Sequence, residues 1–270
     1  MMPELPEVET VRRTLEHLIL NKEIVDVHFL YPPIIDGDIN TFKENVIHQK
    51  ITAIERLGKY LIFKLEKSAF ISHLRMEGKY LICQKEDHIS RHDHIIFELD
   101  DGHELRYHDV RKFGRMKIVD YYTYQKQLPL CQLGPEPFNA DFQQVYQQLK
   151  KRHIPIKTVL LDQSVLAGIG NIYANEICYQ MHLHPETPAN RLTKKRVQEL
   201  LKVASDILNS AIEQGGTTIH SFSSNGIDGL FQVQLKVHMQ HTCPLGHDIK
   251  KIMVHGRGTY YCPVCQKARR

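Results

Sequence analysis

The apolar pattern of this chain changes period once, near Asn139, and that change limits the folds open to it. Before it, short runs rich in β-branched and aromatic residues follow one another, over 24–30, 51–65, 70–74, 80–83, 95–99 and 104–109. The last two flank Asp101-Gly102, a pair suited to the backbone angles of a tight hairpin. A series of this kind predicts a β-sandwich or barrel. Beyond Asn139 the apolar residues recur at helical spacing, which predicts helices over 142–151, 156–162, 171–181 and 193–214, the last stopped by Gly215-Gly216. One further helix opens the chain. Pro6 suits its first turn, Glu7 and Glu9 favour the positive end of its dipole, and Val8, Val11, Leu15, Leu18 and Ile19 form its apolar stripe ahead of Asn21.

At 270 residues, 42% hydrophobic and 24% charged, the chain has the make-up of a globular protein with one large or two smaller cores. No apolar run approaches the roughly 20 residues of a membrane span, and no basic-then-apolar leader opens the sequence, so a cytoplasmic protein is expected. Net charge is +4, but the tail is more basic than the whole: seven Lys and Arg stand against Asp248 from Lys236 onward. Such a tail suits either a phosphate backbone or plain solvent. The polar, glycine-bearing stretch 221–229 (SFSSNGIDG) is expected to be a loop.

Three of the six cysteines gather near the C-terminus. Cys262-Pro-Val-Cys265 has the spacing that places two thiolates on one zinc ion. Cys243 supplies a third, and His247 is the candidate fourth ligand, with His241 and His238 as competitors and a metal-free hairpin as the bland alternative. Zinc would here stabilise a segment too small to build a core, one ion per chain. Gly168-Ile-Gly170-Asn171 opens a helix, where free amides can hold an anion, although an ordinary corner between helices reads alike. Arg111-Lys-Phe113-Gly-Arg115 combines cations with an aromatic ring, as a loop that fills the gap left by an extruded base would. A basic hairpin with one buried ring is the commoner case. Met76 invites the same two readings.

Taken together, Pro3-Glu-Leu-Pro-Glu-Val-Glu-Thr10, Gly58-Lys-Tyr-Leu61, Arg111-Lys-Phe-Gly114, Ile156-Lys157, Leu160-Leu-Asp-Gln163, Gly168-Ile-Gly-Asn-Ile-Tyr173, Gly215-Gly-Thr-Thr218 and Arg257-Gly-Thr-Tyr-Tyr-Cys262 resemble the formamidopyrimidine-DNA glycosylases in order along nearly the whole chain. The resemblance implies an α+β multidomain chain. An N-terminal β-sandwich with a flanking helix would span 1–130, a helix–two-turns–helix domain 131–232, and a zinc-finger β-hairpin 233–270. DNA would cross the cleft between the halves. Leu5, where endonuclease VIII-like relatives usually carry glycine, favours oxidised purines over oxidised pyrimidines.

The resemblance also implies roles. Pro3 would attack the sugar as a secondary amine and form an imine, Glu4 would donate and shuttle protons, Lys59 would act as acid for β-elimination, and Arg257 would serve δ-elimination, more through phosphate binding than by giving up a proton. His92, Arg111, Arg152 and Asn171 would contact DNA, Met76, Arg111 and Phe113 would fill the void, and Lys157 with the 221–229 loop would hold the base. The expected partner is double-stranded DNA with oxidised purines or abasic sites, bound by a monomer. Two features depart from the family pattern. Met1-Met2 precede Pro3, so Met2 is expected to be the start whose removal frees the amine. A second C-x2-C is missing, and Gly246-His247 stands where it would end. A catalytically silent zinc-finger protein that binds damaged DNA is the competing class.

Overall fold

A computed structural model describes residues 2–216 and 234–267. The 221–229 loop therefore lies outside the described residues. Among these, two compact units are found, one of residues 2–3 and 7–131, the other of 4–6, 132–216 and 234–267. No helix among the described residues is long and apolar enough to cross a membrane.

The first unit is β-rich. Helix α1 (Leu5–Ile19) buries Val8, Val11, Leu15 and Ile19 along one stripe, and the chain leaves it through Asn21 at φ 65°. Eight strands follow: β1 (Glu23–Phe29), then, after the short helix α2 (Ile39–Glu44), β2 (Gln49–Leu57), β3 (Tyr60–Leu65), β4 (Ala69–His73), β5 (Lys79–Gln84), β6 (Asp93–Leu99), β7 (His103–His108) and β8 (Arg115–Val119). Their order is β5-β7-β6-β1-β2-β3-β4-β8. The central seam is weak, because β1 and β2 share only the pairs Glu23↔Lys50 and Ile24↔Gln49. About this seam the sheet folds into two four-stranded layers. Phe70 of one layer stacks on Phe97 of the other with centroids 5.6 Å apart, and Phe63 meets Tyr80 at 5.4 Å. These rings fill the core of the expected β-sandwich, each fully buried aromatic contributing about 1.5–3 kcal/mol. The single run expected over 51–65 is the β2–β3 hairpin, turned at Gly58 (φ 58°).

The second unit is helical: α3 (Phe142–Lys150), α4 (Ile156–Leu160), α5 (Asn171–Gln180) and α6 (Lys194–Glu213), followed by the hairpin β9 (Lys250–Val254) and β10 (Arg257–Tyr261). Helix α5 is the axis of this unit. Ile172 through Tyr179 are all buried, as expected for a helix surrounded by others. Helix α6 starts where the Thr193 side chain accepts the Arg196 amide and packs Val197, Leu200, Leu201, Ala204, Leu208 and Ala211 inward. It ends at Gly215 and Gly216, both at positive φ. Gln163 stitches the α4–α5 connection, donating to the carbonyls of Leu161 and Ile169 and accepting from the Gly168 amide.

Candidate active site and zinc centre

The start of α5 receives an anion from within the chain. Glu4 is 1% exposed, and its carboxylate accepts the amides of Gly170 and Ile172 at 2.7 Å and of Tyr173 at 3.3 Å. The helix dipole and three donors there favour a negative charge. The anion on these amides is a side chain of the chain itself. Both glycines of the motif follow from it. A methyl at Gly170 would stand 2.3 Å from Glu4 Cδ, and one at Gly168 (φ +93°) 2.3 Å from Leu5 Cδ1. The Leu5 amide donates to the Gly168 carbonyl at 3.0 Å, so the residues following half-buried Pro3 are registered against this corner.

Lys157 is 0% exposed. Its ammonium donates to Asn171 Oδ1 at 2.7 Å, Thr259 Oγ1 at 2.7 Å and the Gly258 carbonyl at 3.1 Å, three acceptors for three protons. Burial pushes its pKa down to about 8, with Cys178 and Glu4 opposing and Arg257 adding to the shift. These bonds brace α4 to the start of α5 and to β10. Asn171 completes the brace by donating to the Gly258 carbonyl at 3.1 Å. Arg152 is half-exposed and ion-paired with Asp162 at 2.6 Å. Arg257 is exposed at the head of β10, beside the tight turn His255-Gly256 (φ 44° and 73°).

In the β-rich unit, Lys59 is 5% exposed in the β2–β3 turn. Met76, half-buried, lies in the β4–β5 loop, and Arg111 and Phe113, exposed, in the β7–β8 loop. The two loops converge on one phenol. A methyl on Gly78 would come within 2.2 Å of the Tyr107 hydroxyl, and one on Gly114 within 1.6 Å. Buried Asp109 shapes the second loop by accepting the amides of Arg111, Phe113 and Gly114, each at 2.9 Å. Arg111 lies over the Phe113 ring at 4.8 Å, and that ring is 48% exposed. His92, half-buried, ends the β5–β6 loop, whose carbonyls at Asp87 and His88 are gathered, with that of Gln84 at the end of β5, by buried Arg106.

The third constellation is metallic. A tetrahedral zinc ion separates thiolate and imidazole ligand atoms by about 3.5–3.8 Å. His247 Nδ1 lies 3.5 Å from the sulfurs of both Cys243 and Cys265, those sulfurs lie 4.0 Å apart, and with Cys262 all four ligand atoms fall within 4.8 Å. The donor set and spacing fit one zinc ion. The competitors are placed elsewhere: His238 is buried against Asn175 at 2.7 Å, and exposed His241 is not part of the group. Cys262 and Cys243 pack on Tyr179 and Val237, and Gln266 links the Cys262 amide to the Leu183 carbonyl.

Residues 2–116 match the formamidopyrimidine-DNA glycosylase N-terminal domain, 133–223 the H2TH domain of the same enzymes, and 246–268 the zinc finger found in FPG and IleRS. The formamidopyrimidine-DNA glycosylase of Enterococcus faecalis is 46% identical over 99% of this chain and 98% of its own length. The chain belongs to the formamidopyrimidine-DNA glycosylase family. The Bacillus cereus relative of the same name is 43% identical over 98% of this chain and 99% of its own. Lactococcus lactis Fpg, solved with DNA containing an abasic site, superposes with a TM-score of 0.93 at 37% identity, covering 98% of this chain and 100% of its own. A solved complex of an inhibited relative with DNA containing N7-benzyl-Fapy-dG gives 0.92 at 36% identity and the same coverage.

Within this glycosylase framework, several organising residues escape a reading of the sequence. Asp109 has a faint signal, an acid before a basic turn. Tyr107 and Arg106 have none, since both read as ordinary strand residues. His73 accepts the Arg75 amide on Nδ1 at 2.9 Å, and burial, with Arg75 and Lys59 nearby, pushes its pKa down to about 3. It is a neutral imidazole in cationic surroundings.

Proposed function

We propose that this chain excises oxidised purines from double-stranded DNA and then cleaves the strand at the resulting abasic site, with the amine of Pro3 as nucleophile. The observation that carries the reading is the seat of Glu4: a buried carboxylate fixed by three amides, on the residue directly after Pro3. A side chain so constrained has its proton-transfer geometry set before substrate arrives. Relatives named as formamidopyrimidine-DNA glycosylases, and solved complexes with abasic-site and Fapy-dG-type DNA, support the substrate class.

An α-amine titrates near 7.7–8.0, so a useful fraction is unprotonated at neutral pH. The Pro3 nitrogen attacks C1′, the C1′–base bond breaks, and the base leaves with a proton relayed by Glu4. The C1′–O4′ bond then breaks, opening the sugar ring as O4′ takes a proton relayed by Glu4, and the C1′=N iminium so formed acidifies C2′–H. Loss of that proton expels the 3′-phosphate, with Lys59 as acid, and a second elimination expels the 5′-phosphate, which Arg257 binds. His92, Arg111, Arg152 and Asn171 engage the DNA, and Met76, Arg111 and Phe113 occupy the space the extruded base vacates. Zinc, when bound by Cys243, His247, Cys262 and Cys265, supplies rigidity to the β9–β10 hairpin, which presents Arg257.

The test is borohydride trapping on a duplex with one 8-oxoguanine, using protein whose mass shows a free Pro3 terminus. Reduction is expected to leave a covalent adduct that peptide mapping places on Pro3. Tight lesion binding with no adduct overturns the reading in favour of a silent DNA-binding protein. Stronger excision of oxidised pyrimidines overturns the purine assignment alone.

A further inference from the structure

The turn carrying Lys59 is held by a charge relay that the mechanism above does not use. Arg56, in β2, donates from Nη1 to the Gly58 carbonyl at 3.0 Å and from Nε to Glu9 Oε2 at 3.0 Å. Glu9 lies on α1, is buried, and also accepts from Arg12 and Arg13 at 3.0 and 2.9 Å. Against its burial, the hydrogen bonds from Arg12, Arg13 and Arg56 hold the Glu9 carboxyl below the usual range. The Arg56 side chain is only 10% exposed. A planar guanidinium is thus pinned at both ends, by a carboxylate on the first helix and by the carbonyl that precedes Lys59. That carbonyl shares a rigid peptide plane with the Lys59 nitrogen, so its direction sets the direction in which Lys59 leaves the turn.

We propose that Arg56, anchored on Glu9, is a positioning residue for Lys59, and that it governs strand cleavage rather than base release. The inference rests on the assignment of elimination to Lys59. A lysine buried in a turn has few rotamers to spare, and a misplacement of about 1 Å costs on the order of a hundredfold in rate. The guanidinium fork is what methionine or lysine at position 56 cannot reproduce.

The experiment compares zinc-loaded, full-length wild type with Arg56→Met on a duplex holding a preformed abasic site. Cleavage kcat is expected to fall about tenfold or more while KM stays within about twofold. The imine on Pro3 should persist longer before elimination than in wild type, since it forms normally and is consumed slowly, and borohydride added at successive times should trap uncleaved adduct for longer. Glu9→Gln should shift cleavage in the same direction, and the double variant should be no worse than Arg56→Met alone. Where Arg56→Met fails to fold, Arg56→Lys keeps the charge without the fork and is expected to show the cleavage defect. A folded variant that cleaves like wild type overturns the inference, as does a parallel fall in trapping and cleavage. Should wild type itself trap nothing, the reading of Pro3 fails first and takes this inference with it.

Discussion

Glu4 Oε2 accepts the amide proton of Gly170 at 2.7 Å across 166 residues of chain, and Gly170 has no room for a side chain. An added methyl would press on the carboxylate itself, 2.3 Å from Cδ. Gly170→Ala is therefore expected to move Glu4 rather than merely loosen the corner. The stability cost of such overpacking is about 1–3 kcal/mol. Excision should fall much further, on the order of a hundredfold, because the displaced group is the proposed proton relay. Single-turnover excision alongside urea denaturation checks this. Full excision with normal stability would show that the seat of Glu4 is not needed.

Asp109 is expected to matter for DNA affinity without touching DNA. Its carboxylate takes three amides of the loop that holds Arg111 and Phe113, so Asp109→Ala leaves three donors to find other partners. Losing them should cost about 2–4 kcal/mol of folding stability. Affinity for a duplex with an abasic-site analogue should weaken by roughly tenfold, since Arg111 and Phe113 must then be ordered on binding. At saturating DNA, trapping on Pro3 should be nearly unchanged. Titration by fluorescence anisotropy separates the two effects.

Metal analysis should find one zinc per chain, lost on His247→Ala and kept on His247→Cys, because the histidine occupies the fourth corner of the group. His241→Ala and His238→Ala should leave zinc content unaltered. Removing the metal with a chelator should weaken DNA binding and strand cleavage while the β-rich unit stays folded, as followed by circular dichroism. A stoichiometry of one that survives His247→Ala would take His247 out of the site.

What was legible in the sequence is what depends on neighbours along the chain. The stripe Val8, Val11, Leu15, Ile19 defines α1, Thr193 and Gly215-Gly216 bound α6, and Cys262-x2-Cys265 marks half a zinc site, each from local spacing alone. The two glycines before Asn171 were legible as a tight corner, but their crowding by Leu5 and Glu4 was not. Lys157 shows the limit most clearly. A lysine in a short helix reads as a surface or ligand-binding cation, whereas here acceptors from α5 and β10, 14 to 102 residues away, use all three of its protons. Tyr107 beneath two glycines and Arg56 between Glu9 and Gly58 belong to the same kind: ordinary strand residues whose significance arises only when distant segments meet. Strand β8 was missed because its five residues alternate weakly beside a basic loop.

His73 offers a pH test. The buried ring titrates at about 3 in the fold against an ordinary value of 6.5, so between these values the unfolded chain binds a proton that the native chain refuses. Stability contributed by this site is complete above pH 6.5 and is lost progressively as pH falls toward 3. His73→Asn keeps an acceptor for the Arg75 amide and removes the titration. The stability of wild type relative to His73→Asn should thus decline by about 2–3 kcal/mol between pH 7 and pH 4.5, all other groups cancelling in the difference. Urea denaturation of both proteins at these two pH values measures it. A difference that stays flat across the range would mean that the ring accepts a proton while folded, and the environment set by burial, Arg75 and Lys59 would have to be less hostile to charge than the packing around His73 implies.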